Sequence, residues 1–144
     1  MSKHRIILIS YRGCLSSVEA FDFSSRTWSL VDSLPVAIRG HSAVCLPDGI
    51  YVMGGVTNHH RYLSALYKMG PGKQWTKLAS MDTPRAFFAA VANCANIYVT
   101  GGCNGDNKDG LCLMERYDVM QNRWETLAPM ARKRCMHSAA ILNI

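Results

Sequence analysis

The hexapeptide IYVMGG at residues 50–55 returns as IYVTGG at residues 97–102, 47 residues further on. A short run of apolar and β-favouring residues that stops at a glycine pair describes a buried strand ending in a turn. Self-similarity at this period constrains the fold more than any other feature, because it marks stacked copies of one supersecondary unit. Tryptophan carries the same period. Trp28, Trp75 and Trp124 stand 47 and 49 residues apart, and each follows an aromatic residue on a short strand pattern: Phe21, Tyr67 and Tyr117. The aromatic-to-tryptophan spacing is seven, eight and seven residues, and the extra residue falls in the turn sequence GPGK at 70–73.

Each unit reads as four short strands joined by turns. In the third unit the strands are 87–92, 96–100, 112–118 and 123–128. The first unit shows three, at about 5–10, 17–22 and 27–31, and a last segment, HSAAILN at 137–143, matches HSAVCLP at 41–47. Short strands with closely spaced turn signals describe an antiparallel meander. A lone sheet of this kind has two apolar faces, and radial stacking of copies buries both, which is a β-propeller.

The expected fold is therefore all-β, with no helix longer than a turn or two. It is a partial propeller over residues 1–144, with about three four-stranded antiparallel blades of an expected six. Repeat 1 covers about 5–39 without its first strand, repeat 2 about 40–85 and repeat 3 about 86–134. Residues 135–144 would supply the first strand of a next blade. Gly54-Gly55 and Gly101-Gly102 should bend with positive φ or pass close to neighbouring backbone. Tyr67, Tyr117, Trp75 and Trp124 should fill the space between blades with their polar tips hydrogen-bonded. Asp22 and Asp118 should accept backbone N–H groups in the turns that follow them.

Composition narrows the function. The chain is 49% hydrophobic, has no run near the ~18 apolar residues of a membrane span, and its first apolar run, Ile6–Ile9, is too short for a secretory signal. A cytoplasmic protein is expected. Its six cysteines include no Cys-x-x-Cys pair and read as reduced thiols, Cys45 facing inward and Cys103 the most exposed. The net charge, 16 − 10 = +6, is scattered and lacks interleaved aromatics. That argues against nucleic acid and leaves either a solvated basic surface or a pocket for an acidic peptide. His59 and His60 are adjacent and would point to opposite sides of an extended segment, which does not build a metal site. NGDNKDGL at 104–111 lacks the ligand spacing of a calcium loop. With no nucleophile or phosphate motif either, the chain reads as a non-enzyme without metal or cofactor.

The run IYVTGG, MERYDV, NRWETLAPM and Arg134 in the third unit resembles the Kelch repeat throughout. The second unit keeps IYVMGG, Trp75, KLASM and Arg85 but has Lys68 where the pattern has Asp. The first keeps SSVEAFDF and Trp28 but has Ser10 and Tyr11 where the glycine pair belongs. SSVEAFDF and LAPM are most similar to the Kelch domains of BTB–BACK–Kelch proteins. That resemblance implies substrate capture for cullin-RING ubiquitin ligases, with BTB and BACK modules gripping the cullin. The 144 residues contain neither module, so an adaptor role would belong to a longer protein, or the chain would compete for the same partner.

Binding is expected in the loops that vary between units. One set follows the glycine pairs, with His59, His60 and Arg61 in the first loop and Asn104 and Asn107 in the second. The other set joins one unit to the next and holds Arg39, Arg85, Arg132 and Arg134. The resemblance implies that both sets share one substrate-facing rim, and that the arginine four after the methionine, Arg85 or Arg134, contacts the ligand. Guanidinium groups there would suit an acidic or phosphorylated peptide; alternatively each arginine braces its own turn. A second reading is a scaffold that binds actin or another filament through a broader face. For the open ends of the arc, the alternatives are a longer six-bladed domain, a homodimer formed by strand exchange, or a marginal monomer.

Overall fold

The computed structural model describes residues 5–9 and 13–142. The described residues form eleven strands in three antiparallel sheets and no helix. None of their segments is therefore a helix long and apolar enough to cross a membrane. The first sheet holds β1 (Arg5–Ile9), β2 (Val18–Asp22) and β3 (Thr27–Val31). The second runs in chain order through β4 (Ser42–Leu46), β5 (Gly49–Met53), β6 (Leu66–Met69) and β7 (Trp75–Leu78). The third repeats that order with β8 (Ala89–Ala92), β9 (Asn96–Thr100), β10 (Met114–Asp118) and β11 (Arg123–Leu127). Each sheet is a meander, and β4 and β8 approach each other across the second and third sheets. The architecture is that of propeller blades.

Two apolar layers fill the spaces between blades. Val18, Leu34, Ile38 and Val52 form the first, and Tyr51, Met53, Leu66, Ile97, Val99, Tyr117 and Trp124 lead the second. Burial pushes the Tyr117 phenol up to about 12, and its hydroxyl donates to Asn122 Oδ1 at 2.8 Å. The indoles of Trp75 and Trp124 reach back to the preceding blade. Trp75 Nε1 donates to Asp32 O at 2.9 Å, and Trp124 Nε1 to Ala79 O at 2.8 Å. In the outer sheets the tryptophan lies directly across from its aromatic partner, Phe21 from Trp28 and Tyr117 from Trp124, with ring centroids 5.1 and 5.2 Å apart. The longer turn of the second sheet sets Trp75 opposite Met69 instead. A displacement of two positions keeps the ring on the same face, because strand side chains alternate with period two.

The glycine pairs have φ of 63° and 97° at Gly54 and Gly55, and 64° and 90° at Gly101 and Gly102. A Cβ on Gly54 would stand 2.6 Å from Arg85 O, so only glycine lets the two backbones pass. The residues in the matching place of the first unit, Ser10 and Tyr11, lie outside the described residues. Asp22 Oδ1 accepts from Ser24 N and Ser25 N, and Asp118 Oδ1 from Gln121 N. Lys68, standing where the pattern has Asp, pairs with Asp48 at 2.7 Å across the sheet end.

Residues 137–142 join none of the three described sheets. Two expectations need correction. Cys45 is exposed, on the opposite face of β4 from the partly or fully buried Val44 and Leu46. Cys103 is buried under the loop that carries Tyr62, and burial raises its thiol pKa, so it is a poor nucleophile.

Candidate protein-interaction site

The segments between blades are held in matching ways. Leu34 N, Met81 N and Met130 N donate to Ser16 O, Ser64 O and Cys112 O; four residues on, Ile38 N, Arg85 N and Arg134 N donate to Leu15 O, Leu63 O and Leu111 O. Ile38, Arg85 and Arg134 are thus equivalent positions, and Arg39 stands one residue later. Next come Gly40, Phe87 and Met136, with φ of 63°, 57° and 53°. Phe87 N donates to Gly40 O at 2.6 Å and Met136 N to Phe87 O at 2.7 Å, so a backbone ladder links successive blades.

Arg85 is not a rim group. It is wholly buried, the largest such side chain among the described residues, and pairs with buried Glu115 of β10. Its Nη1 donates to Gly101 O at 2.8 Å, while the Glu115 carboxylate also accepts Asp82 N at 2.8 Å and Thr83 N at 3.2 Å. Burial pulls the guanidinium pKa down and Glu115 opposes it. A carboxylate that clamps two amides and an arginine of the preceding connector is a junction, and the wholly buried guanidinium exposes no donor to a ligand. The second unit has Ala65 where Glu115 stands in the third, and the first connector accordingly has buried Ile38 in the place of Arg85. The Glu in MERYD was the signal for this partnership, and neither residue shows it alone. Arg134 has the backbone of Arg85, but its side chain is exposed.

The remaining predicted groups gather at one end of the blades. Arg39 and Val56 exchange backbone hydrogen bonds at 3.1 and 2.9 Å, and Ala86 and Cys103 do the same at 2.9 and 2.8 Å. These pairs tie the loops after the glycine pairs to the connectors. Thr57 N donates to Arg61 O, closing a turn that leaves His59, His60 and Arg61 exposed. Arg132 and Asn107 are exposed too, whereas Asn104 is turned inward, its Oδ1 accepting Asp106 N and Asn107 N. Arg39 is half-buried, with its Nε buried and without a hydrogen-bond partner.

The three connectors border a cleft of about 220 Å³, lined by Gly40, His41, Phe87, Phe88, Met136 and His137, the first of which follows Arg39 in the chain. Pattern reading had placed no site here, because HSAV and HSAA read simply as strand starts. His137 Nε2 lies 3.1 Å from Thr100 Oγ1, and the Nδ1 atoms of both histidines are buried without partners. Burial lowers the pKa of His41 to about 4; burial and then the charge of Arg134 lower that of His137. Both rings are neutral near pH 7 and offer hydrogen bonds rather than charge.

This has a consequence for stability. A His41 pKa below the unfolded value of 6.5 leaves stability intact above pH 6.5 and erodes it as the pH falls from there toward 4. Thermal melts should show a loss on the order of 2–3 kcal/mol over that window. In His41→Gln the slope should flatten, and an unchanged slope would place the titration elsewhere.

Blades linked by connectors, with loops raised at one end, define a repeat scaffold. The Kelch motif model matches residues 37–82 and 84–131. The chain belongs to the Kelch-repeat family. It is 40% identical over 122 residues to Kelch-like protein 41b of Danio rerio, a match covering 83% of this chain and 20% of that protein. It is 30% identical over 130 residues to Kelch-like protein 40 of Xenopus laevis (90% and 21%), and 34% over 113 residues to Kelch repeat and BTB domain-containing protein 8 of Xenopus tropicalis (78% and 17%). The chain spans about a fifth of the length of these relatives.

Proposed function

We propose that this chain is the substrate-recognition part of a cullin-RING ubiquitin ligase adaptor in the cytoplasm, and that it captures an acidic or phosphorylated segment. The ligase part of the reading rests on the family and on relatives named for a BTB domain. The ligand part rests on the rim. Arg39, with a buried and unpartnered Nε, carries the reading, because a buried guanidinium donor without an acceptor is a standing demand for one. Arg61 and Arg132, with His59, His60 and Asn107, add exposed donors on the loops and connectors.

The test is anisotropy with labelled glutamate-rich and phosphoserine peptides against a neutral control. A charged hydrogen bond contributes about 1.5–3 kcal/mol, so Arg39→Ala should weaken the acidic peptides about tenfold or more. Arg61→Ala and Arg132→Ala should weaken them less and leave melting within about 0.5 kcal/mol of the parent. Equal affinity for neutral peptides, or cosedimentation with actin filaments that no single rim change weakens, would replace this reading with that of a filament scaffold.

A further inference from the structure

The loop after the second glycine pair carries a reactive pair of residues. Asn104 and Gly105 form the one Asn–Gly step in the sequence. Asn104 Oδ1 accepts three N–H groups, from Asp106 N at 3.2 Å, Asn107 N at 2.9 Å and Asn107 Nδ2 at 3.4 Å. These donors draw electron density from Cγ and sit where negative charge develops when a nucleophile adds there. The nucleophile is next in the chain. Gly105 is exposed, its N–H has no acceptor among the described residues, and nothing lies within 4 Å of the place where a Cβ would stand. The Asn104 Nδ2, which would be the leaving group, has no acceptor among the described residues either. Two neighbours show what sets the pair apart. Asn93 makes almost the same turn, its Oδ1 accepting Ala95 N at 3.2 Å and Asn96 N at 2.9 Å, but the next residue is Cys94, whose Cβ obstructs attack by its own nitrogen. Asp109 precedes Gly110, but Gly110 is buried and its N–H donates to Asn107 O at 3.3 Å. A polarised amide, a following glycine and an unengaged N–H coincide at Asn104.

We propose that Asn104 is a self-modifying site, which turns a neutral loop amide into a carboxylate without an enzyme. Water or hydroxide takes the Gly105 N–H proton as the nitrogen bonds to Asn104 Cγ, and the Cγ–Nδ2 bond breaks to release ammonia. Water then opens the resulting succinimide at one of its two carbonyls. One opening leaves aspartate, and the other leaves isoaspartate, in which the chain runs through the former side chain. Neither step exchanges electrons with an oxidant or reductant. Residues 103–111 then hold three carboxylates beside Lys108, where Asp106 and Asp109 alone stood before. The new charge opposes capture of an acidic segment by the rim. That consequence rests on the function proposed above, whereas the modification does not.

Mass spectrometry of digests from chain incubated at neutral and mildly alkaline pH tests this, with isoaspartyl methyltransferase labelling as a second readout. The Asn104 fragment should gain the mass of an NH2-to-OH exchange, faster at the higher pH. Its rate should keep pace with a synthetic peptide of residues 103–111, while the Asn93 fragment stays unchanged. Gly105→Ala meets no neighbour and no left-handed φ, so the fold should persist. That variant should slow conversion about tenfold or more, each tenfold being about 1.4 kcal/mol of barrier. Asn104→Asp, a permanent carboxylate, should bind the glutamate-rich peptide about twofold more weakly at low salt, and the difference should fade as salt is added. An Asn104 that persists while the synthetic peptide converts overturns the proposal. So does one that converts no faster than Asn93, or no faster than in Gly105→Ala. Undiminished peptide binding by Asn104→Asp overturns the consequence for capture. A parent chain that binds no acidic peptide overturns the reading of the rim instead, and the mass result still decides the modification.

Discussion

Arg85→Ala should cost about 3–5 kcal/mol of folding stability, and Glu115→Ala about as much, read as a shift in the urea midpoint at constant slope. Removing one member of a buried pair leaves the other charged, out of water and alone, which costs more than the pair contributes while intact. Here the loss extends further. Without Glu115, the amides of Asp82 and Thr83 lose their acceptor, at roughly 1–3 kcal/mol for each one that water cannot reach. Without Arg85, the Gly101 carbonyl loses its side-chain donor, while Leu113 O keeps the Gly101 amide. The double change Arg85→Met with Glu115→Leu removes both charges, as the first connector does with Ile38 and the second unit with Ala65. It should therefore recover part of the loss, though not the amide share. The exposed pair of Lys68 and Asp48 provides the contrast, and Lys68→Ala should stay within about 1 kcal/mol of the parent. If Arg85→Ala melts like the parent and weakens an acidic peptide instead, the junction assignment fails.

The second large effect is at Trp124, where replacement by alanine should cost about 3–5 kcal/mol. The indole is buried against Tyr117 and sends its N–H into the preceding blade, so its loss opens a cavity and orphans Ala79 O together. Trp28→Ala should cost no more than about 1 kcal/mol, because half of that ring already faces solvent. Equal losses at the two sites would mean that something covers the first blade. Trp75, half-buried but hydrogen-bonded like Trp124, should fall between them.

The predictions that hold and those that fail divide along a physical line. Strand positions were readable because apolar alternation and turn residues act locally. The segments 96–100 and 27–31 were placed to within a residue of β9 and β3. The positive φ of the glycine pairs and the capping by Asp22 and Asp118 are local as well. The burial of Arg85 is not legible locally, because its partner Glu115 lies 30 residues away and nothing in the stretch MDTPRA records that pairing. Cys45 and Cys103 failed for a related reason. A single alternating run does not say which of two faces meets the next blade, and a loop that folds over a thiol leaves no periodic trace.

By itself, then, the sequence determined the unit: four short strands, a glycine turn, an aromatic and a tryptophan in register, and an arginine in the connector. These follow from backbone sterics and from side-chain alternation over a few residues. Only the tertiary structure decided what each copy of a repeated residue does. Arg85 and Arg134, like Trp124 and Trp28, share their local geometry. One of each pair is buried in a junction and the other lies open, because burial belongs to the neighbouring blade and not to the residue that it covers.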